Sequence, residues 1–265
     1  MTDNERLNTA MSVNIDEACE ALISKPLFAT SAERFLILNE IKSKYNGLPQ
    51  PLRFSRTLSE LLSRVSTPVC QYDLIAGRCV DRELSESEEA AFKEFCKHPD
   101  YPSRKSFLSS GHCTYSWEMV VQKGISGMRE EAVASLEKYG DDADKVAFLT
   151  AIIEIYDAIR DYMLRYADAA ESVGALRAAR ALREASGGAP KSFATALQLL
   201  WIITLIDCAY ITENPTLTVG RMDVMLYPLY RADIDSRPRR AAEATSPRRF
   251  RRRHPPSPSL RRAPS

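Results

Sequence analysis

Apolar residues recur along most of the chain at intervals of three and four, the spacing that puts them on one face of a helix. Phe35, Ile37, Leu38 and Ile41 predict a helix over 31–45, stopped by Asn46-Gly47 and the prolines beyond. Leu58, Leu61, Leu62 and Val65 predict a second over 54–65. Ser85 with Glu88 three residues on is a capping-box pattern, and the acidic run 86–89 suits the positive end of the helix it opens. Residues 111–139 predict a turn followed by a helix loosened by Gly124 and Gly127. The longest helix starts at Asp141 or Asp142. Its face reads Val146, Leu149, Ile152, Ile153, Tyr156, Ile159, Met163 and Tyr166, and it breaks near Gly174. A short Ala/Arg helix follows and ends at Gly187-Gly188, in the manner of a glycine C-cap. Pro190 restarts the chain into an apolar helix over 192–209. Residues 222–231 predict one or two further helical turns, limited by Pro228. Only 70–80, with Gly77 inside it, reads as extended or strand. The chain is therefore mainly α, with one to three short strands, and lacks the regular strand–helix alternation of an intact α/β barrel.

Leu197 to Tyr210 is apolar enough to raise a membrane question. It is shorter than the roughly 20 residues of a span and is interrupted by Gln198 and Asp207, so it reads as a core helix. The polar N-terminus lacks a secretory layout, and six scattered cysteines without a Cys-x-x-Cys pair read as reduced thiols in a cytoplasmic protein.

Charge divides the chain. Of 36 Lys and Arg, ten Arg fall in 236–265, with one of the 35 Asp and Glu, so residues 1–235 carry 26 basic and 34 acidic groups. The body stands at −8 and the tail at +9, with His neutral. A body of that sign does not suit nucleic acid. The tail is Arg, Pro, Ser and Ala almost throughout, with Phe250 and Leu260 as its large apolar residues, and it is expected to be disordered. It has the composition of an RNA-binding arm, of a polybasic membrane-surface segment, or of GC-rich codons read out of frame; the absence of Lys favours the last.

Catalytic templates are absent: there is no P-loop, no Gly-x-Ser-x-Gly elbow and no His-Glu-x-x-His helix. Cys96, His98, His112 and Cys113 cluster in sequence, but their spacing matches no zinc module, so no metal site is expected. His112 sits in a turn before a helix, where it can hydrogen-bond a polar substrate or the backbone. Arg221 and Asp223 straddle Met222 at a loop-to-helix junction, where they can form a charged network with Asp223 capping the helix.

Four segments in order resemble the N-terminal part of the pyruvate formate-lyase domain of glycyl radical enzymes. They are Tyr72-Asp73-Leu74-Ile75-Ala76-Gly77; Gly111-His112 with Gly124-Ile125-Ser126-Gly127; Pro190-Lys191-Ser192-Phe193 with Ala196-Leu197-Gln198-Leu199-Leu200-Trp201; and Gly220-Arg221-Met222-Asp223 with Leu226-Tyr227-Pro228-Leu229-Tyr230 and Ala232-Asp233-Ile234. The resemblance spans residues 25–235. It implies the helical N-terminal portion of a ten-stranded α/β barrel, with 1–235 as domain and 236–265 as tail. The family works by a glycyl radical, installed by a radical S-adenosylmethionine activating enzyme and passed to a barrel cysteine. Its reactions include formate C-acetyltransferase chemistry on pyruvate, diol dehydration and carbon–nitrogen cleavage. The family's Arg-Val-x-Gly-aromatic segment does not occur in these residues, and all six cysteines precede Gly220, so none takes the catalytic role. The resemblance makes His112 a substrate-binding residue and Gly220, Arg221 and Asp223 a structural motif. It implies a small-molecule substrate and leaves a homodimer open; no bound cofactor, membrane or nucleic acid is expected. The chain itself is expected to be an inactive fragment, the alternative being a non-catalytic helical protein with a nucleic-acid-binding Arg tail. In such a fragment the apolar face of 192–209 is expected to lie exposed.

Overall fold

The computed structural model describes residues 20, 31–41, 43–78, 84–97, 114–211 and 217–236. The helices within these are α1 (Ser31–Ile41), α2 (Gln50–Arg64), α3 (Glu86–Lys97), α4 (Trp117–Lys138), α5 (Ala143–Ser172), α6 (Leu176–Gly187), α7 (Phe193–Ile206, running on into a π turn Asp207–Ile211) and α8 (Met222–Asp235). The expected tail and His112 lie outside the described residues.

The long helix α5 is the axis of the molecule: α2, α4 and α6 all pack along it. Asp142 starts it, accepting the Lys145 N–H at 3.1 Å as an N-cap. Its apolar face is buried only from Ile159 onward, through Tyr162, Met163, Tyr166, Ala167 and Ala170; the stretch before that is half-buried apart from Ala151. The capping box of α3 forms on both arms, Ser85 N–H to Glu88 at 2.8 Å and Glu88 N–H to the Ser85 hydroxyl at 3.3 Å. Phe35 stacks on Phe92 and Phe95, which fixes α3 to α1.

Gly124 lies at φ 64, ψ 177, so α4 is two helical pieces meeting at a kink. A Cβ there would come within 2.4 Å of the Gly188 carbonyl oxygen. Gly124 thus lets α4 pass close to the backbone at the end of α6. Gly188 itself is extended, φ 166, not in the left-handed conformation expected of a glycine C-cap.

Among the described residues there is no strand. The expected strand over 70–80 is instead an irregular extended stretch as far as Arg78; 79 and 80 lie outside the described residues. The reason is visible in its hydrogen bonds. Gln198 donates to Ala76 O at 2.7 Å and accepts Ala76 N–H at 2.9 Å. Trp201 Nε1 donates to Gly77 O at 2.5 Å, and the Tyr166 hydroxyl to Arg78 O at 2.7 Å. Side chains have taken the backbone groups that a neighbouring strand would use.

Two further expectations are corrected. Helix α8 runs 14 residues straight through Pro228. The carbonyl that loses a partner belongs to Val224, which is exposed, so water can satisfy it. The helix 192–209 is not left bare: Leu199, Leu200, Ile202, Leu205 and Ile206 are buried against the other helices, and Trp201 alone among its large apolar residues is exposed. Counted through its π turn this helix is 19 residues, long and apolar enough to cross a membrane by length and composition, but most of it is buried in the protein.

Candidate functional site

The loop ahead of α4 and the loop ahead of α8 meet in a small cleft. It is lined by Thr114, Tyr115, Ser116, Trp117 and Glu118 on one side and Val219, Gly220, Arg221 and Met225 on the other, and has a volume of about 190 Å³. Side-chain bonds hold the two walls in place. Trp117 Nε1 donates to Thr218 O at 2.8 Å, and the Tyr115 ring meets the Trp117 ring edge-on at 5.3 Å. The Tyr115 hydroxyl donates to Asp207 at 2.9 Å, which ties the first wall to the π turn of α7. Asp207 is buried, and burial raises its carboxyl above the usual range while the Tyr115 hydrogen bond pulls the other way.

Gly220 and Arg221 line this cleft across from Thr114 and Tyr115, whereas His112, two residues before Thr114 in sequence, lies outside the described residues. Gly220 is left-handed, φ 68, with open space around it, so its conformation is what requires glycine. Arg221 pairs fork-to-fork with Asp223, Nε to Oδ1 at 2.8 Å and Nη2 to Oδ2 at 2.6 Å. This hydrogen bond raises Arg221 and lowers Asp223. Arg221, not Asp223, occupies the N-cap position of α8; Asp223 stands in the first turn, where its charge still suits the helix end.

A larger cavity of about 510 Å³ lies between α2 and α5. Its charges are spent on their neighbours: Glu154 accepts from Ser55 at 2.5 Å and Arg56 at 3.2 Å, Asp157 takes both arms of Arg129, and Arg165 holds the Leu62 and Val65 carbonyls at the end of α2. It reads as a structural polar seam. Among the described residues no three His, Cys, Asp or Glu gather to hold a metal. Cys70, Cys96 and Cys208 are half-buried thiols outside any disulfide, and none lines the small cleft.

Tyr115, Gln198 and Asp207 are structural anchors that apolar spacing does not mark. Gln198 and Asp207 interrupt an apolar run, and Gln198 also falls in the third segment of the resemblance. A polar residue inside such a run needs a buried partner, and that was the available signal.

The fold and motifs have relatives. A pyruvate formate lyase-like family model matches residues 100–245, the stretch containing the cleft. The chain is 30% identical to a (2S)-3-sulfopropanediol dehydratase of Klebsiella oxytoca over 48% of this chain and 17% of that protein. It is 29% identical to an isethionate sulfite-lyase of Bilophila wadsworthia over 49% of this chain and 18% of that protein. Its fold is similar to a glycyl radical enzyme from Archaeoglobus fulgidus, with a TM-score of 0.68 and 17% identity over 83% of this chain and 37% of that one. The chain thus spans less than a fifth of those two curated relatives and little more than a third of that solved structure. With a match over more than half its length, the chain belongs to the pyruvate formate lyase-like family.

Proposed function

We propose that this chain forms the helical wall of a glycyl radical lyase that eliminates a group from a small hydroxylated substrate. The observation that carries it is the family match over 100–245, which includes both walls of the cleft. Both relatives described above are lyases, and the compounds in their names are small hydroxyalkyl sulfonates. That chemistry favours elimination over acetyl transfer from pyruvate. His112, two residues before Thr114 in sequence, is the residue that the family resemblance offers to donate a hydrogen bond to a substrate hydroxyl. Gly220, Arg221 and Asp223 form and stiffen the opposite wall.

The residues present do not fit the radical group itself. They contain no Arg-Val-x-Gly-aromatic segment, and no cysteine follows Gly220. The 265 residues alone are therefore expected to be inactive, and no catalytic step is assigned to them. In the working enzyme a radical S-adenosylmethionine activating enzyme would serve as partner.

Anaerobic incubation of the purified chain with such an activating enzyme and S-adenosylmethionine, followed by electron paramagnetic resonance, tests this. No glycyl radical doublet and no product from 1,2-propanediol or isethionate are expected. A doublet, or turnover by the chain alone, would overturn the reading.

A further inference from the structure

The turn between α1 and α2 holds the chain's single Asn-Gly pair, Asn46-Gly47. Leu48 N–H donates to Tyr45 O at 3.1 Å, so Asn46 and Gly47 are the two central residues of a β-turn. The start of the turn is tied down: the Tyr45 hydroxyl and the Lys44 ammonium both donate to Glu60 of α2, at 2.7 and 2.8 Å. Its tip is not, and both Asn46 and Gly47 are exposed.

An asparagine followed by glycine has a reaction of its own. The backbone nitrogen of the next residue can attack the side-chain amide carbon and close a five-membered ring, and a glycine nitrogen is the least hindered because no Cβ stands beside it. A fold blocks this by bonding that N–H or by holding the amide elsewhere. Here it does neither. Asn46 N–H donates to Ser43 O at 3.3 Å and Leu48 N–H to Tyr45 O, but among the described residues neither the Gly47 N–H nor the Asn46 side-chain amide has a hydrogen-bond partner. A Cβ built on Gly47 would meet nothing within 4 Å, so the turn has room to bring the two groups together. The other asparagines differ. Asn39 lies inside α1, where the helix holds the next N–H. Asn214 precedes Pro215, which has no N–H, and Asn4, Asn8 and Asn14 precede Glu5, Thr9 and Ile15, whose side chains crowd the nitrogen.

We propose that Asn46 is a site of spontaneous covalent modification, converted to aspartate and isoaspartate while the chain stays folded. The Gly47 nitrogen bonds to Asn46 Cγ, the Cγ–Nδ2 bond breaks, and the proton of the Gly47 N–H leaves with Nδ2 as ammonia. Water then opens the ring. Cleavage between Cγ and the Gly47 nitrogen restores the ordinary backbone with an aspartate side chain. Cleavage at the main-chain carbonyl leaves the backbone running through Cβ and Cγ, which is isoaspartate. No oxidant or metal is required, and either product adds a carboxylate two residues from Lys44. The inference is independent of the lyase reading.

The test holds the folded 265-residue chain in mildly alkaline buffer and samples it by ion exchange and by peptide mass mapping, with fragmentation that separates aspartate from isoaspartate. Acidic species are expected to accumulate, with the change from amide to carboxyl placed at Asn46 and both isomers present. Asn46→Gln, which would have to close a six-membered ring, should lose them. Gly47→Ala should slow them at least about tenfold, because a Cβ then crowds the attacking nitrogen. Gly47 lies outside the left-handed region and has open space around it, so alanine fits and the variant should melt as wild type does. The chain in urea supplies the rate without a fold, and the folded rate should lie within about tenfold of it. No change at Asn46, an equal change at Asn39, Gly47→Ala modified as fast as wild type, or a folded rate further below the urea rate would each overturn the proposal.

Discussion

Two polar pairs on family-like segments have the same two-point geometry and opposite surroundings. Gln198 grips Ala76 by its backbone N–H and C=O, at 2.9 and 2.7 Å, with its side chain completely buried. Arg221 grips Asp223 by two N–H groups, at 2.8 and 2.6 Å, with both side chains largely in water. By distance alone the charged pair looks stronger. Burial reverses the order. In the core, a missing partner leaves a dry backbone group unsatisfied, whereas at the surface water replaces it at little cost. Two-point contact is therefore a mark of architecture in the first case and of local shape in the second.

Gln198→Leu should produce the largest effect. It keeps a side chain of similar size but strands two buried backbone groups, each worth about 1–3 kcal/mol, for a total of about 3 kcal/mol. Urea unfolding followed by circular dichroism measures it. A loss below about 1 kcal/mol would break the comparison, because it would mean that water reaches Ala76. Trp201→Phe removes only the indole bond to Gly77 O from a residue that is 45% exposed. Its cost should be intermediate, about 1 kcal/mol, the net value of one ordinary hydrogen bond.

These contacts also show what the sequence could reveal. Helix positions were legible because apolar spacing is a local signal: the faces of α1 and α2 are buried at the residues that the spacing named. The Ser85–Glu88 box and the Asp142 start were legible for the same reason, since each is made within one turn. The fate of 70–78 was not. Its extended pattern is real, but its partners are Gln198 and Trp201, more than a hundred residues away, and only the fold brings them near. The exposed face was misjudged similarly. The apolar spacing of 192–209 predicts exposure in a fragment, yet α7 lies in the core and the more exposed apolar side chains, Val224 and Tyr227, stand on the less apolar α8. Of the candidate site, Gly220, Arg221 and Asp223 were found as a motif. Their approach to residues 114–117 depends on Trp117 reaching Thr218, which spacing does not encode.

Asp207 extends the comparison to a charge in the core. Its carboxyl is raised chiefly by burial, so the fold prefers it protonated. Below the unfolded-state pKa both states hold the proton and nothing is lost. As pH rises through the folded-state value, the buried group must ionise and stability falls. Asp207→Asn stays neutral and can still accept from Tyr115. The variant should therefore be more stable than wild type at neutral pH, and the difference should shrink as pH falls toward about 4, where the unfolded carboxyl also protonates. Melts at several pH values measure the gap. A gap that widens toward acid would mean that the Tyr115 bond outweighs burial.

The smallest effect belongs to Asp223→Asn. Arg221 lowers the Asp223 carboxyl, so the fork adds stability above the unfolded-state pKa that is lost as pH falls through the folded one. Both groups are exposed, and salt screens what they add. The melting temperature of the chain should not change measurably at physiological salt, and only slightly at low salt. A clear drop that survives high salt would mean that the fork is shielded from water.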